Sequence, residues 1–274
     1  MSGVATTRLD RAAMSIRAPE GKTLLETALQ RERALTLVLV LVTLASWTWI
    51  VLMARDMYGT MLGASAWMMT AHWDLAHVLL LWAMWAVMMT AMMLPSAAAL
   101  VLLYAGALRT RGERHANRSI YALAGGYLVV WGVFSAGATL LQRLLAPALM
   151  LTPMMEPGTP IIAALLLAIA GVYQLTPRKR ACLRVCRSPL SYLLRHWRDG
   201  ALGALRLGVD HGIYCLGCCW ALMLLLFAGG VMNLVVIVAL TLWVLAEKFL
   251  PFGERTARAS GIVLLALAAW TALS

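Results

Sequence analysis

Residues 210–230 read DHGIYCLGCCWALMLLLFAGG. One histidine, three cysteines and a methionine fall within the thirteen residues from His211 to Met223, and the stretch continues as apolar sequence. Side chains three and four apart share a helix face. His211 and Cys215 are four apart, Cys215 meets Cys218 and Cys219 at three and four, and Cys219 meets Met223 at four. The stretch reads as a helix carrying one stripe of soft atoms ~18 Å long, at ~1.5 Å of rise per residue. Gly217 leaves a gap beside the thiols where a second helix or a ligand can approach.

The composition around this helix sets the class. Of 274 residues, 62% are apolar and only 13% charged, which is too apolar for a soluble domain and points to an all-α, polytopic transmembrane bundle. The formal charge of +11 does not indicate nucleic acid, because the basic residues sit in short segments between apolar runs. That pattern reads as topology signal and as contact with the anionic face of a lipid bilayer. The polar N-terminal stretch lacks a small-residue cleavage site after a short apolar core, so the first apolar run is expected to be retained rather than cleaved.

A spanning helix takes ~20 mostly apolar residues. Seven segments qualify: 34–53, 76–103 (interrupted by Pro95), 120–141, 161–176, 212–228, 231–245 and 261–273. The expected organisation is a cytoplasmic tail over 1–33 and one transmembrane domain over 34–274, with a basic cytoplasmic loop at 177–210. Arginine and lysine cluster in alternate connections: the tail, Arg109 to Arg118, Arg178 to Arg206, and Lys248 to Arg258. The intervening connections hold only Arg55 and Arg143. By the positive-inside rule the N-terminus is cytoplasmic and the C-terminus outside, which agrees with an odd number of spans. The outer connections carry Met57, Met61, Met68 and Met69, then Met150, Met154, Met155 and Glu156 among prolines.

Thiolate and thioether ligands together select soft metals, Cu(I) foremost, and imidazole suits copper and zinc. The competing reading is that cysteine packs in helices as a small hydrophobe. Three cysteines in five residues, one turn from a histidine, favour a metal or redox role. The best ligand set here is His211 and Cys215 with Cys218 or Cys219; Cys219 has the alternative of facing lipid or a neighbouring helix. On the cytoplasmic side thiols stay reduced, which argues against a disulfide. In the second span, Met84, Met88 and Met92 are spaced by four, as are Met89 and Met93. Asp74 and His77 lie three apart at its outer mouth, and Pro95 interrupts the backbone ladder below the methionines. Such stripes also arise from core packing alone. In TPRKRACLRVCRSPL, Cys182 and Cys186 share a helix face among Arg180, Arg184 and Arg187; this is either a thiol pair primed by arginines or a basic interfacial helix that holds two cysteines. Glu247 and Lys248, at the end of the sixth span, read as an interfacial pair with the lysine snorkelling to water.

Three motifs occur in order: MMTAMMLPSAA, YQLTPRKRACLRVCRSPL and HGIYCLGCCWALMLLLFAGGVMNL. Together they resemble a bacterial family of uncharacterised integral membrane proteins described as predicted metal-binding. The match runs from about Trp82 to Pro251; the tail and last span carry no such signature. The resemblance implies metal binding with copper as the suggested metal, at His211, Cys215, Cys218 and Cys219, with Cys182, Cys186, Met92 and Met93 as companions. Bacterial origin and the topology imply the inner (cytoplasmic) membrane.

The leading expectation is therefore a membrane protein that handles Cu(I) as chaperone, carrier or assembly factor, with zinc as the alternative metal. Its partners would be a cuproenzyme or a soluble metallochaperone. No P-loop occurs, so an ATP-driven pump is not expected. Two other classes stay open: a membrane thiol-redox or cofactor enzyme, and an accessory subunit of a membrane complex. For the last, Gly125, Gly126, Gly132, Gly137, Gly229 and Gly230 are the candidate close-contact positions.

Overall fold

The computed structural model describes residues 32–57, 59, 74–145 and 159–273. Within them the chain is all-helical. The helices are α1 (Arg33–Met57), α2 (Leu75–Thr110), α3 (Ala116–Leu145), α4 (Pro160–Leu175), α5 (Pro177–Arg187), α6 (Pro189–His196), α7 (Gly200–Gly229), α8 (Leu234–Phe249) and α9 (Gly253–Leu273). The basic tail up to Arg31 lies outside the described residues, as do Met61, Met68 and Met69 of the first outer connection and Met150, Met154, Met155 and Glu156 of the second.

Local chemistry sets the helix ends. Asp74 caps α2 by accepting the His77 amide at 2.8 Å. Proline stands in the first turn of α4, α5 and α6, where its missing N–H removes no helical hydrogen bond. Asn233 caps α8 by accepting from the Val235 and Val236 amides. Gly230 ends α7 with φ of 89°, a backbone region that favours glycine.

Five helices, α1, α2, α3, α7 and α9, are long and apolar enough to cross a membrane; the count is six if α4 and α5, bent by 67° at Thr176, form one broken span. The expected sixth span, 231–245, falls in α8, whose 16 residues extend only ~24 Å at ~1.5 Å per residue. Large apolar side chains cover the outside of the bundle, among them Leu41, Val133 and Trp270. The interruption expected at Pro95 does not occur: α2 continues through it for 36 residues. The segment 177–210, expected as a loop, is occupied by α5, α6 and the first turns of α7.

The basic segments meet at one end of the bundle. Arg109 pairs with Glu32, just before α1, at 2.8 Å. Arg111 stacks over the Trp197 ring at 4.0 Å and lies 3.7 Å from Asp199. Arg187 donates to the carbonyls of Glu247 and Pro251, both at 3.0 Å. The four stretches flanking Glu32, Arg109, Arg187 and Pro251 thus share one pole.

Helix α7 is the centre of the packing. It lies along α3 and also contacts α4, α5 and α8. At the α3–α7 crossing the backbones nearly touch: a Cβ on Gly208 would stand 2.0 Å from the Leu123 carbonyl oxygen, and one on Gly126 2.2 Å from that of Leu205. Of the six glycines expected at close contacts, Gly126 is confirmed at a backbone crossing, and Gly125 and Gly137 face open space. Gly208→Val therefore has to push α3 and α7 apart, and is expected to cost roughly 1–3 kcal/mol. Thermal unfolding of the detergent-solubilised protein checks this, with Gly125→Ala as a control that leaves the midpoint unchanged or slightly raised.

Candidate metal centre

The three thiols of α7 face inward, and Cys215, Cys218 and Cys219 are all buried. The helical spacing brings them onto one shared acceptor: Cys218 and Cys219 donate to the Cys215 carbonyl at 3.0 and 2.9 Å. Cys219 does not face lipid. Its sulfur lies 4.0 Å from the Met93 sulfur on α2.

Helix α5 supplies the other two cysteines. Cys186 Sγ lies 3.9 Å from Cys218 Sγ. Cys182 fills the gap at Gly217, where a Cβ would come within 2.8 Å of its sulfur. The Tyr173 hydroxyl donates to the Gly217 carbonyl and fixes the same turn from α4. All five cysteines of the chain therefore gather around one turn of α7, and none forms a disulfide.

Cys215 is surrounded by hydrogen-bonding groups from three other helices. Lys248 Nζ from α8 lies 3.0 Å from its sulfur and Tyr127 Oη from α3 lies 3.1 Å away, with Ser96 Oγ from α2 at 4.0 Å. Lys248 also donates to Ser96 Oγ at 2.9 Å. Tyr127 donates to the Met93 carbonyl at 3.0 Å, and Ser96 Oγ donates to the same carbonyl at 2.8 Å. Met93 thus anchors both hydroxyls beside Cys215; the carbonyl that Pro95 leaves without its helical N–H is that of Ala91, four residues before it.

The expectation of a snorkelling Glu247–Lys248 pair is overturned. Both residues are buried, and they point in different directions because neighbours on a helix are ~100° apart. Lys248 turns to Cys215. Glu247 pairs with Lys179 of α5 at 2.5 Å and accepts from Gln174 Nε2 at 2.7 Å and Trp243 Nε1 at 3.2 Å. Ser260 of α9 lies 3.5 Å from the same carboxylate and takes a second bond from Gln174 at 2.8 Å. This network spans the α4–α5 bend and so holds the α5 thiols in place. The sequence carried one signal for it: ionisable residues at the end of an apolar run are expected to have partners.

His211, one turn before Cys215, is buried, and its ring lies 5.2 Å from that of Tyr192. Its Nδ1 has no hydrogen-bond partner among the described residues. Burial pushes the Tyr192 phenol above its ordinary range, and Asp210 adds to the effect. The hydroxyl therefore stays protonated and donates to the Leu207 carbonyl at 3.0 Å, holding α6 on α7.

Met88 and Met92 are buried in the same core as the cysteines; of the methionine stripes, Met93 is the one whose sulfur meets a thiol. Asp74 is exposed and His77 buried, and sixteen residues of α2 separate His77 from Met93. That places the pair ~24 Å along the helix axis from the thiols, so it does not join them.

The donor set suits a soft ion. Metal–sulfur bonds of ~2.3 Å let two thiolates on one ion stand up to ~4.6 Å apart, and the Cys186–Cys218 separation of 3.9 Å falls within that reach. Among the described residues no three His, Cys, Asp or Glu side chains already stand in a ligand arrangement. A linear or three-coordinate soft ion needs only the thiol pair plus one neighbour, whereas zinc takes four ligands.

Fold and site together define an apolar helical protein built around a buried cluster of thiols and a thioether. The chain belongs to the family described as "PpoB2: Copper chaperone", which it matches over residues 82–271. No curated protein and no solved structure gives a match. The matched span contains the five cysteines, Met93, His211, Tyr127 and Lys248, and it extends into α9, to residue 271; Asp74 and His77 lie before it.

Glu247→Gln leaves the Lys179 ammonium buried without a counter-charge. It is expected to destabilise by about 3–5 kcal/mol, while a Lys179→Met/Glu247→Leu double variant recovers most of that loss. The midpoints of thermal unfolding for the single and double variants test this.

Proposed function

We propose that this protein is an integral membrane Cu(I) chaperone of the bacterial inner membrane, which takes up the ion at the thiol cluster and passes it on to a cuproenzyme. The observation that carries the proposal is the 3.9 Å approach of Cys186 and Cys218 from two different helices, with Cys215, Cys219 and the Met93 thioether beside them. The same sulfur set in a chain of a copper-chaperone family favours Cu(I) over zinc.

In this reading Cys186 and Cys218 are the first ligands. Cys215, Cys219, Cys182 and Met93 are exchange partners within the cluster, and His211 approaches from the basic pole. Met92 and Met88 continue the soft path along α2 toward the opposite pole, where Asp74 and His77 stand. Successive sites of similar ligand type let an ion move by exchange without being trapped. Seven spans, with the N-terminus in the cytoplasm and the C-terminus outside, complete the proposal. It is supported by the meeting of the basic segments at one pole and requires both α8 and the bent α4–α5 pair to traverse.

Purified protein titrated with Cu(I) under anaerobic, reducing conditions against a chromogenic chelator tests the site. Wild type is expected to bind Cu(I). A Cys186→Ser/Cys218→Ser variant should lose at least tenfold in affinity, and the Cys215/Cys218/Cys219 triple serine variant should lose binding. His77→Ala should leave cluster affinity unchanged. Undiminished Cu(I) binding after all five cysteines are replaced would overturn the assignment.

A further inference from the structure

A cavity of about 360 Å³ opens beside the thiol cluster, between α2, the α5–α6 junction, α7 and the end of α8. Its inner wall carries Cys186, His211, Lys248 and Ser96, and its rim carries Arg187 and Ser191. Ser191 is exposed. The volume is at the small end of the range for sites that bind small molecules and excludes a folded protein domain.

The charge of this cavity is one-sided. Among the described residues no carboxylate lines it. The nearby Glu247 carboxylate is held by Lys179, and Arg187 spends its hydrogen bonds on two backbone carbonyls, which leave its charge uncompensated. Lys248 donates to the Ser96 hydroxyl and the Cys215 sulfur at 2.9 and 3.0 Å, and among the described residues no carboxylate pairs with it. A cleft lined by one sign of charge concentrates ions of the opposite sign and repels its own. Bare Cu(I) is a cation, so it is disfavoured here. The Nδ1 of His211, a buried ring on the inner wall, is a further polar group without a hydrogen-bond partner among the described residues.

We propose that this cavity is the loading port, and that it takes copper as an anionic Cu(I) complex of a small thiol bearing carboxylates. The inference rests on the copper reading above and adds the chemical form in which the ion arrives. Arg187 and Lys248 attract the complex, His211 offers its ring to the bound carrier, and Cys186 accepts the ion. In the exchange one Cu–S bond to the carrier breaks and one Cu–S bond to Cys186 forms. The Cys186 proton leaves with the released carrier as its thiol, and no electron is transferred.

The test measures how fast full-length protein in detergent acquires copper, by rapid desalting and metal analysis. It compares two sources, the Cu(I)–glutathione complex and the cationic Cu(I)–acetonitrile complex. Ser191→Glu puts a carboxylate at the rim. The third position of α6, following the Ser188 cap, accommodates glutamate well. The variant is expected to load about tenfold or more slowly from the glutathione complex, with no slowing from the acetonitrile complex, and Ser191→Ala should behave as wild type. If Ser191→Glu changes both rates equally or neither, the port is overturned while the copper assignment stands. If wild type acquires copper from neither source, the copper assignment fails and the port with it.

Discussion

In a chain that is 62% apolar, a carboxylate withdrawn from water has to find its partners inside the protein, and Glu247 finds them on several helices. Lys179 comes from α5, Gln174 from α4, Ser260 from α9, and Trp243 from its own helix. The network spans the 67° bend between α4 and α5. Without it, α5 is a short, strongly basic helix with little apolar surface to bury, and the thiols it carries have no fixed position. The network also fixes the rotation of α8 about its axis, and that rotation turns the neighbouring Lys248 onto Cys215.

The remaining half of the cluster depends on α7 lying deep in the bundle. The Gly126–Gly208 crossing brings α3 close enough for Tyr127 to reach both Cys215 and the Met93 carbonyl. A second small residue, Gly217, admits the Cys182 sulfur from the other side. Small side chains thus do two separate jobs along one helix: the first sets the distance to α3 and the second makes room for α5.

The features written in local periodicity were legible in the sequence. The cysteine stripe, the shared face of Cys182 and Cys186, and the methionine stripes follow from three- and four-residue spacing, and the structure keeps them. The membrane-length helices followed from apolar run length. The helices within 177–210 were partly legible, since Thr176–Pro177 and Ser188–Pro189 are start signals, but the density of charge read as a loop. What could not be read was which faces meet. Lys248, Tyr127 and Ser96 lie 33, 88 and 119 residues from Cys215 in the chain, and no spacing rule links them. The charged pair at 247–248 was misplaced because residues at the end of an apolar run usually reach water; here other helices supply their partners inside the bundle, Lys179 and Gln174 for Glu247 and Ser96 and Cys215 for Lys248.

The contact between Lys248 and Cys215 has an electrostatic consequence for what the cluster can hold. Two thiolates around one Cu(I) leave a single negative charge, and one ammonium beside them brings the sum to zero. A neutral assembly avoids most of the penalty for placing charge in a low-dielectric interior. A third ionised thiol would leave one charge uncompensated, and a divalent ion on the same two thiolates would leave an excess of positive charge. In the copper reading proposed above, one buried lysine would therefore discriminate by valence, favouring monovalent soft ions over divalent ones.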